Sequence, residues 1–245
     1  MFHFFTRKKF LIDYLEGFVD IHNHILPGID DGAKTVEESI ELINGFSQFG
    51  VKDFIATPHI MHNYYPNNPE TINNSLVLLK NELLKNDMKD ISIQAAAEHM
   101  IDDNFESILE NGDIMRLGNN HILIEMSYLQ PSMNFDDAIL KISLKNYYTL
   151  LAHPERYIYL HNNFKAYRKY KDHGILFQLN LLSLSGYYGK DVQQMALKLL
   201  EMGLIDYIGS DVHNLNQLNS LKEVKVTTKL INSMLPIIAD TIETF

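Results

Sequence analysis

Short apolar runs recur along the chain, each closed by histidines or acidic residues and followed by a stretch with helical spacing. The first, Phe18-Val19-Asp20-Ile21, leads into His22-Asn23-His24 and a Pro27-Gly28 turn. Thr35-Val36-Glu37-Glu38 then reads as a capping box, and Val36, Ile40, Ile43 and Phe46 keep helical spacing until Gly50. The unit repeats. Further strands are predicted over 53–57, 91–97, 121–125, 148–152, 175–180 and 206–209. Helices are predicted near 70–86, 103–110, 135–145, 163–173, 191–202 and 218–235. Seven apolar strands alternating with helices predict an α/β fold with parallel strands. A closed or distorted barrel fits better than an open sheet, because polar candidates follow nearly every strand and barrels gather functional groups at the carboxyl ends. Residues 1–17 read as a short helical extension whose Phe4, Phe5, Phe10, Leu11 and Leu15 pack on the main body, leaving 18–245 as one domain.

Composition narrows the chemistry. The 245 residues include no cysteine, which removes disulfides, zinc–thiolate sites and any cysteine nucleophile. A net charge of −10 argues against nucleic-acid binding, which normally needs a basic face. No run approaches the ~18 apolar residues of a membrane span, so an integral membrane protein is not expected. The first nine residues lack the long apolar stretch of a signal peptide, and a cytoplasmic location follows as the expectation. Arg7, Lys8 and Lys9 read as a solvated helix end. No Gly-rich dinucleotide fingerprint or Walker motif is present.

Eleven histidines are many for this length, and their placement is selective. Strand spacing aims residues i and i+2 to one side, so His22 and His24 can share an ion, as can Asp211 and His213. The turn after His24 can fold a carboxylate back, Asp31 being the candidate. His59, Glu98, Glu125 and His153 each close a further strand. Nine imidazoles and carboxylates exceed what one divalent ion needs, and two or three ions with a bridging carboxylate would use them. Neighbouring ions activate water and clamp an anionic substrate, the equipment of a phosphoesterase. Arg156, three residues after His153, can add a bidentate hold on phosphate. His3, His62, His99, His121, His161 and His173 lack this placement and read as structural or exposed, His62 having the best case among them as an additional ligand.

Together these segments carry a resemblance. Asp20-Ile21-His22-Asn23-His24 with Asp30-Asp31-Gly32, Ala56-Thr57-Pro58-His59, Ala97-Glu98, Leu123-Ile124-Glu125, Ala152-His153-Pro154-Glu155-Arg156-Tyr157 and Gly209-Ser210-Asp211-Val212-His213 resemble the motifs of the PHP (polymerase and histidinol phosphatase) superfamily. Within it, the chain looks like the bacterial capsule- and exopolysaccharide-associated tyrosine phosphatases. The resemblance implies a distorted (β/α)7 TIM-like barrel with a trinuclear centre, usually of manganese, with iron, zinc or magnesium as substitutes. It implies His22, His24, Glu98 and Asp211 on one ion, Glu98 bridging to a second held by Glu125 and His153, and Asp31, His59 and His213 on a third. It also implies hydrolysis of phosphotyrosine by a metal-activated hydroxide, with Arg156 orienting the phosphoryl group. The implied substrate is the Tyr-rich tail of a bacterial tyrosine autokinase controlling polysaccharide export. The chain departs from relatives after His213, where residues 214–218 include no basic side chain and Lys222 is the first. Two alternatives stand beside this reading: a small-molecule phosphatase of the histidinol-phosphate type, and a non-catalytic, metal-stabilised docking module. The Tyr64-Tyr65 loop favours a peptide substrate over a small one.

Overall fold

Strands rich in Ile, Leu, Phe and Ala are fit to be covered on both faces, and that is how the chain uses them. The computed structural model describes residues 8–245. In chain order the elements are β1 (Lys8–Phe10), β2 (Val19–Asp20), α1 (Val36–Ser47), β3 (Asp53–Ala56), β4 (His59–Ile60), α2 (Pro69–Lys85), β5 (Ser92–Ala95), β6 (Glu98–Met100), α3 (Phe105–Asn111) and β7 (His121–Glu125). They continue with α4 (Phe135–Leu144), β8 (Tyr148–Ala152), α5 (Phe164–Asp172), β9 (Leu176–Asn180), α6 (Lys190–Glu201), β10 (Tyr207–Gly209), α7 (Leu215–Lys222), β11 (Lys225–Thr227) and α8 (Thr228–Thr244).

Two parallel sheets form one curled surface. The larger has the order β10-β9-β8-β7-β6-β4 and the smaller β2-β3-β5. β3 passes into β4, and β5 into β6, across two-residue breaks, so each of these chain segments belongs to both sheets. The outer edges approach each other. Asp211 N donates to His22 O at 2.7 Å, His24 N to Val212 O at 3.0 Å, and the buried Asp20 carboxylate accepts from Ser210 N at 2.9 Å. These bonds bring the segment after β2 beside the segment after β10.

One face of the sheet packs on the helices, with Leu42, Ile43 and Phe46 of α1 among the fully covered residues. The other forms a smaller cluster of Ile21, Ile55, Ala96, Leu123, Leu150 and Ala152. Phe245 joins it at the end where the strands begin, its ring 5.0 Å from those of Tyr207 and His121. Near the carboxyl ends of the strands this apolar cluster gives way to polar groups such as Glu125 and His153.

Local signals account for the helix starts. Thr35 caps α1 by accepting from Glu38 N at 3.3 Å, as the sequence predicts, while Glu38 itself bonds to Lys34 N. Asn68 completes a reciprocal capping box with Thr71 on α2. Two expectations are corrected. The extension is not helical over Lys8–Phe10, which instead pairs antiparallel with Lys225–Thr227, followed by a 3-10 turn at Leu11–Tyr14. The reason is an available strand partner: Leu11 and Leu15 are buried as expected, but in a chain tied down by backbone pairing. Phe4, Phe5, His3 and Arg7 lie outside the described residues. The single helix expected over 218–235 is two, α7 and α8, separated by β11; Thr227 caps the second by accepting from Leu230 N. Among the described residues no helix is long and apolar enough to cross a membrane.

Candidate metal centre

Nine side chains converge at the carboxyl ends of the strands. His22 and His24 follow β2, with Asp31 in the turn beyond them; His59 opens β4, Glu98 opens β6 and Glu125 ends β7, while His153 follows β8 and Asp211 and His213 follow β10. Their donor atoms fall into four overlapping groups: His24, Asp31, His59 and His213; His22, His24 and Asp211; His22, Glu98 and His153; and His59, Glu98 and Glu125. Every residue proposed from sequence as a ligand is in at least one. The groups differ from the implied partition: His24 also joins Asp31, His59 and His213, His22 joins Glu98 and His153, and Glu125 stands 3.0 Å from His59 Nδ1, on the His59 side of Glu98 rather than with His153.

Glu98 is the centre of this arrangement. Its carboxylate is 3.2 Å from His22 Nε2, 3.5 Å from His24 Nε2, 3.2 Å from His59 Nδ1 and 3.0 Å from His153 Nε2. The side chain is fully buried. Burial opposes its charge, yet His22 and His59 hold the carboxyl well below its usual range. Asp211 is lowered in the same way against burial, His22 and His24 opposing it. The imidazoles respond reciprocally: burial would keep His59 neutral, but Glu125 and Glu98 raise its pKa to about 9. His213 goes the other way, to about 4, through burial and the charge of His24, whose ring is 3.9 Å away. The carboxylates therefore demand positive charge in front of them.

Divalent cations fit that demand. Six buried atoms of these residues lack a hydrogen bond: His22 Nε2, His24 Nε2, His59 Nδ1, Glu98 Oε2, Glu125 Oε1 and His153 Nδ1. An orphaned buried polar atom costs ~1–3 kcal/mol, and five of the six, all but His153 Nδ1, stand against one another beside Glu98 and call for a shared partner. Mixed imidazole and carboxylate donors suit manganese, iron or zinc.

A second layer aims the donors. Gln178 Nε2 donates to Leu179 O at 2.8 Å, so its Oε1 accepts from His22 Nδ1 at 2.7 Å, leaving the His22 Nε2 lone pair toward the cluster. Asp30 does the same for His24, 2.7 Å from its Nδ1, while also accepting from Gly32 N and His59 N. Asn180 Nδ2 and Arg156 Nη1 both donate to Asp211 Oδ2 at 2.7 Å. His153 and Asp211 sit at φ of +35° and +52°, a left-handed conformation costing ~1–3 kcal/mol outside glycine. The surrounding bonds hold that strain at two of the candidate ligands. Replacing Gln178 by Leu should weaken metal affinity about 10- to 100-fold, measured by metal titration; unchanged affinity would remove Gln178 from the support of His22.

Sequence reasoning did not single out Asp30, Gln178, Asn180, Tyr128 or Tyr188. Asp31, the carboxylate chosen from the acidic pair, does reach His59 Nε2 at 3.4 Å and His213 Nε2 at 3.6 Å, but remains half exposed; Asp30 is the buried one. His62 lines the mouth of the cavity without joining a donor group. His99, read as structural, is buried and neutral, with Nδ1 donating to Leu123 O and Nε2 accepting from Met115 N; burial pushes it down to about 4.

The cluster floors a cavity of about 780 Å³, within the range of small-ligand sites. Arg156 lines it, and among the described residues is the sole lysine or arginine to do so. Lys222, the first basic residue after His213, bonds instead to Gln48 Oε1 at 2.9 Å. Apolar walls come from Met61, Met100 and Leu129, and Tyr65 stacks on His59 at 5.4 Å.

The chain is similar to known proteins. The chain is 30% identical over 221 residues to tyrosine-protein phosphatase YwqE of Bacillus subtilis, covering 89% of this chain and 87% of that protein. It is 30% identical over 200 residues to the putative tyrosine-protein phosphatase CapC of Staphylococcus aureus, covering 80% and 77%. A solved structure from work on YwqE and on CpsB of Streptococcus pneumoniae, described as unique metal-dependent tyrosine phosphatases, superposes with a TM-score of 0.75 at 28% identity, covering 91% of this chain and 94% of that one. A zinc-bound amidohydrolase, 10% identical with a TM-score of 0.53 over 94% of this chain and 86% of its own, is similar in fold alone. Residues 18–232 match the family described as capsular polysaccharide synthesis, CpsB/CapC, and the chain belongs to that family.

Proposed function

We propose that the chain is a metal-dependent phosphotyrosine-protein phosphatase. The observation that carries this is the set of unpartnered buried donor atoms converging on Glu98 below a cavity that also holds Arg156. The named activity of its relatives supports it. His22, His24, Asp31, His59, Glu98, Glu125, His153, Asp211 and His213 would hold two or three divalent ions, Glu98 being shared between them. Manganese is the first choice by family resemblance. We take the frame to be a distorted (β/α)7 barrel of the PHP type, in which residues 18–245 form the catalytic domain and 1–17 an appended segment.

Bound divalent ions supply positive charge and Lewis acidity at the phosphoryl group. The chain's own residues do the rest. Arg156 donates to phosphoryl oxygens and opposes their charge; Asp211 holds Nη1 of that arginine while serving as a ligand. Gln178 and Asp30 fix the imidazole tautomers. Met61, Met100 and Leu129 take the aromatic ring of the substrate and exclude water. With no cysteine in the chain, a cysteinyl-phosphate intermediate has no place in the reaction. The physiological substrate we favour is the Tyr-rich tail of a bacterial tyrosine autokinase governing polysaccharide export, met in the cytoplasm.

Replacing Asp211 or His22 by Ala tests the reading. Turnover of a phosphotyrosyl peptide should fall on the order of a thousandfold, the loss of several kcal/mol of transition-state stabilisation, with the circular-dichroism spectrum unchanged. Wild-type turnover in either variant would sink it. A higher kcat/KM on histidinol phosphate than on the peptide would move the substrate to the small-molecule class.

A further inference from the structure

Arg156 is held on three sides. Its guanidinium carbon lies 4.6 Å from the centre of the Tyr128 ring and 4.3 Å from that of Tyr188, and Nη1 donates to Asp211 at 2.7 Å. The two tyrosines arrive on separate loops, β7–α4 and β9–α6. Each hydroxyl continues toward a different candidate ligand. Tyr188 accepts from Asn180 Nδ2 at 3.3 Å, the same group that donates to Asp211. Tyr128 Oη stands 3.4 Å from His153 Nε2.

An arginine free in a cavity sweeps through many rotamers and loses that freedom on binding an anion. Two aromatic rings centred within 4.6 Å of its carbon limit the movement of the guanidinium, and the Asp211 bond fixes one end of it. Nε and Nη2 make no hydrogen bond among the described residues, so that edge is left for a ligand. Resting on the phosphatase reading, we propose that Tyr128 and Tyr188 are positioning residues that act through Arg156. Their rings set the plane of the guanidinium against the metal cluster, so that the phosphoryl group meets donors already oriented.

The ring face, not the hydroxyl, does this, which makes conservative rescue the test. In the full metal-loaded chain, Tyr128→Phe and Tyr188→Phe should keep kcat/KM within about twofold of wild type on p-nitrophenyl phosphate. Tyr128→Leu and Tyr188→Leu should lower it about tenfold, with KM and the inhibition constant of inorganic phosphate rising together and metal content unchanged. In an Arg156→Ala background the same leucine substitutions should change kcat/KM less than twofold, because residues acting through one group are not additive. Wild-type kinetics in the leucine variants, or an equal loss with Arg156 already removed, would overturn the proposal. Methionine replaces leucine should a leucine variant not fold. If the unsubstituted chain hydrolyses no phosphate ester with any metal, the phosphatase reading fails separately; calorimetric binding of inorganic phosphate across the same variants then decides the clamp, equal affinities contradicting it.

Discussion

Glu98→Gln should abolish phosphotyrosine hydrolysis while leaving the fold in place. Glutamine has the shape of glutamate, so the buried pocket is filled as before and no cavity opens. What changes is charge and hydrogen-bond sense. The carboxylate stands within 3.5 Å of nitrogens from His22, His24, His59 and His153, more imidazoles than any other carboxylate of the cluster reaches. An amide removes one negative charge from the centre and points an N–H₂ donor at imidazole nitrogens meant for a cation. Metal stoichiometry should drop, and turnover with it on the order of a thousandfold or more. Thermal unfolding in the presence of chelator should be close to that of the unsubstituted chain. A variant that keeps its ions and its turnover would remove Glu98 from the centre of the site.

Gly32→Ala should fail for a different reason. The glycine lies where the turn after His24 folds back on itself: a Cβ there would fall 2.0 Å from His24 O and 2.5 Å from His24 Cβ. Both are parts of a buried segment, and neither is the end of a flexible side chain. Gly32 N also donates to Asp30 Oδ1 at 2.8 Å, and Ala33 N to His24 O at 3.0 Å. To admit a methyl group, the turn must carry Asp30 away from His24, and with it the bond that sets the His24 tautomer. Overpacking of this kind costs ~1–3 kcal/mol, so a lower melting temperature and a loss of metal affinity should appear together. Gly186→Ala is the control, since nothing lies within 4 Å of a Cβ built there; equal melting temperatures for the two variants would show that the turn yields more easily than its geometry indicates.

These two positions also mark how much of the site could be read from sequence. Glu98 was legible only through the joint pattern of imidazoles and carboxylates at strand ends, since taken alone it reads as a solvated carboxylate. The strands of 121–125 and 148–152 were legible to the residue, their apolar runs being bounded by polar or turn residues. Asp31, the carboxylate read from the pair, does join His24, His59 and His213, but the supporting role of Asp30 was not legible, because it rests on the close approach of Gly32 to His24, a contact that spacing does not record. Gln178 and Asn180 had a signal that went unread: two amides at i and i+2 on an otherwise apolar strand share one face. Tyr128 and Tyr188 had none, since they lie in loops without periodicity and meet only through Arg156. The strand Lys225–Thr227 was hidden as well, being too short for alternation to register and stabilised by pairing with Lys8–Phe10 from the other end of the chain.

Hydrolysis of a phosphotyrosyl peptide by chelator-treated protein, re-supplied in turn with Mn²⁺, Fe²⁺, Zn²⁺ and Mg²⁺, bears most directly on the metal centre and its chemistry together. The expected result is restoration by at least one ion, Mn²⁺ first among them, with about two to three ions bound per chain and no restoration in Glu98→Gln. Turnover that survives complete chelation, or metal uptake that restores none with any ion, would contradict a metal-dependent phosphatase.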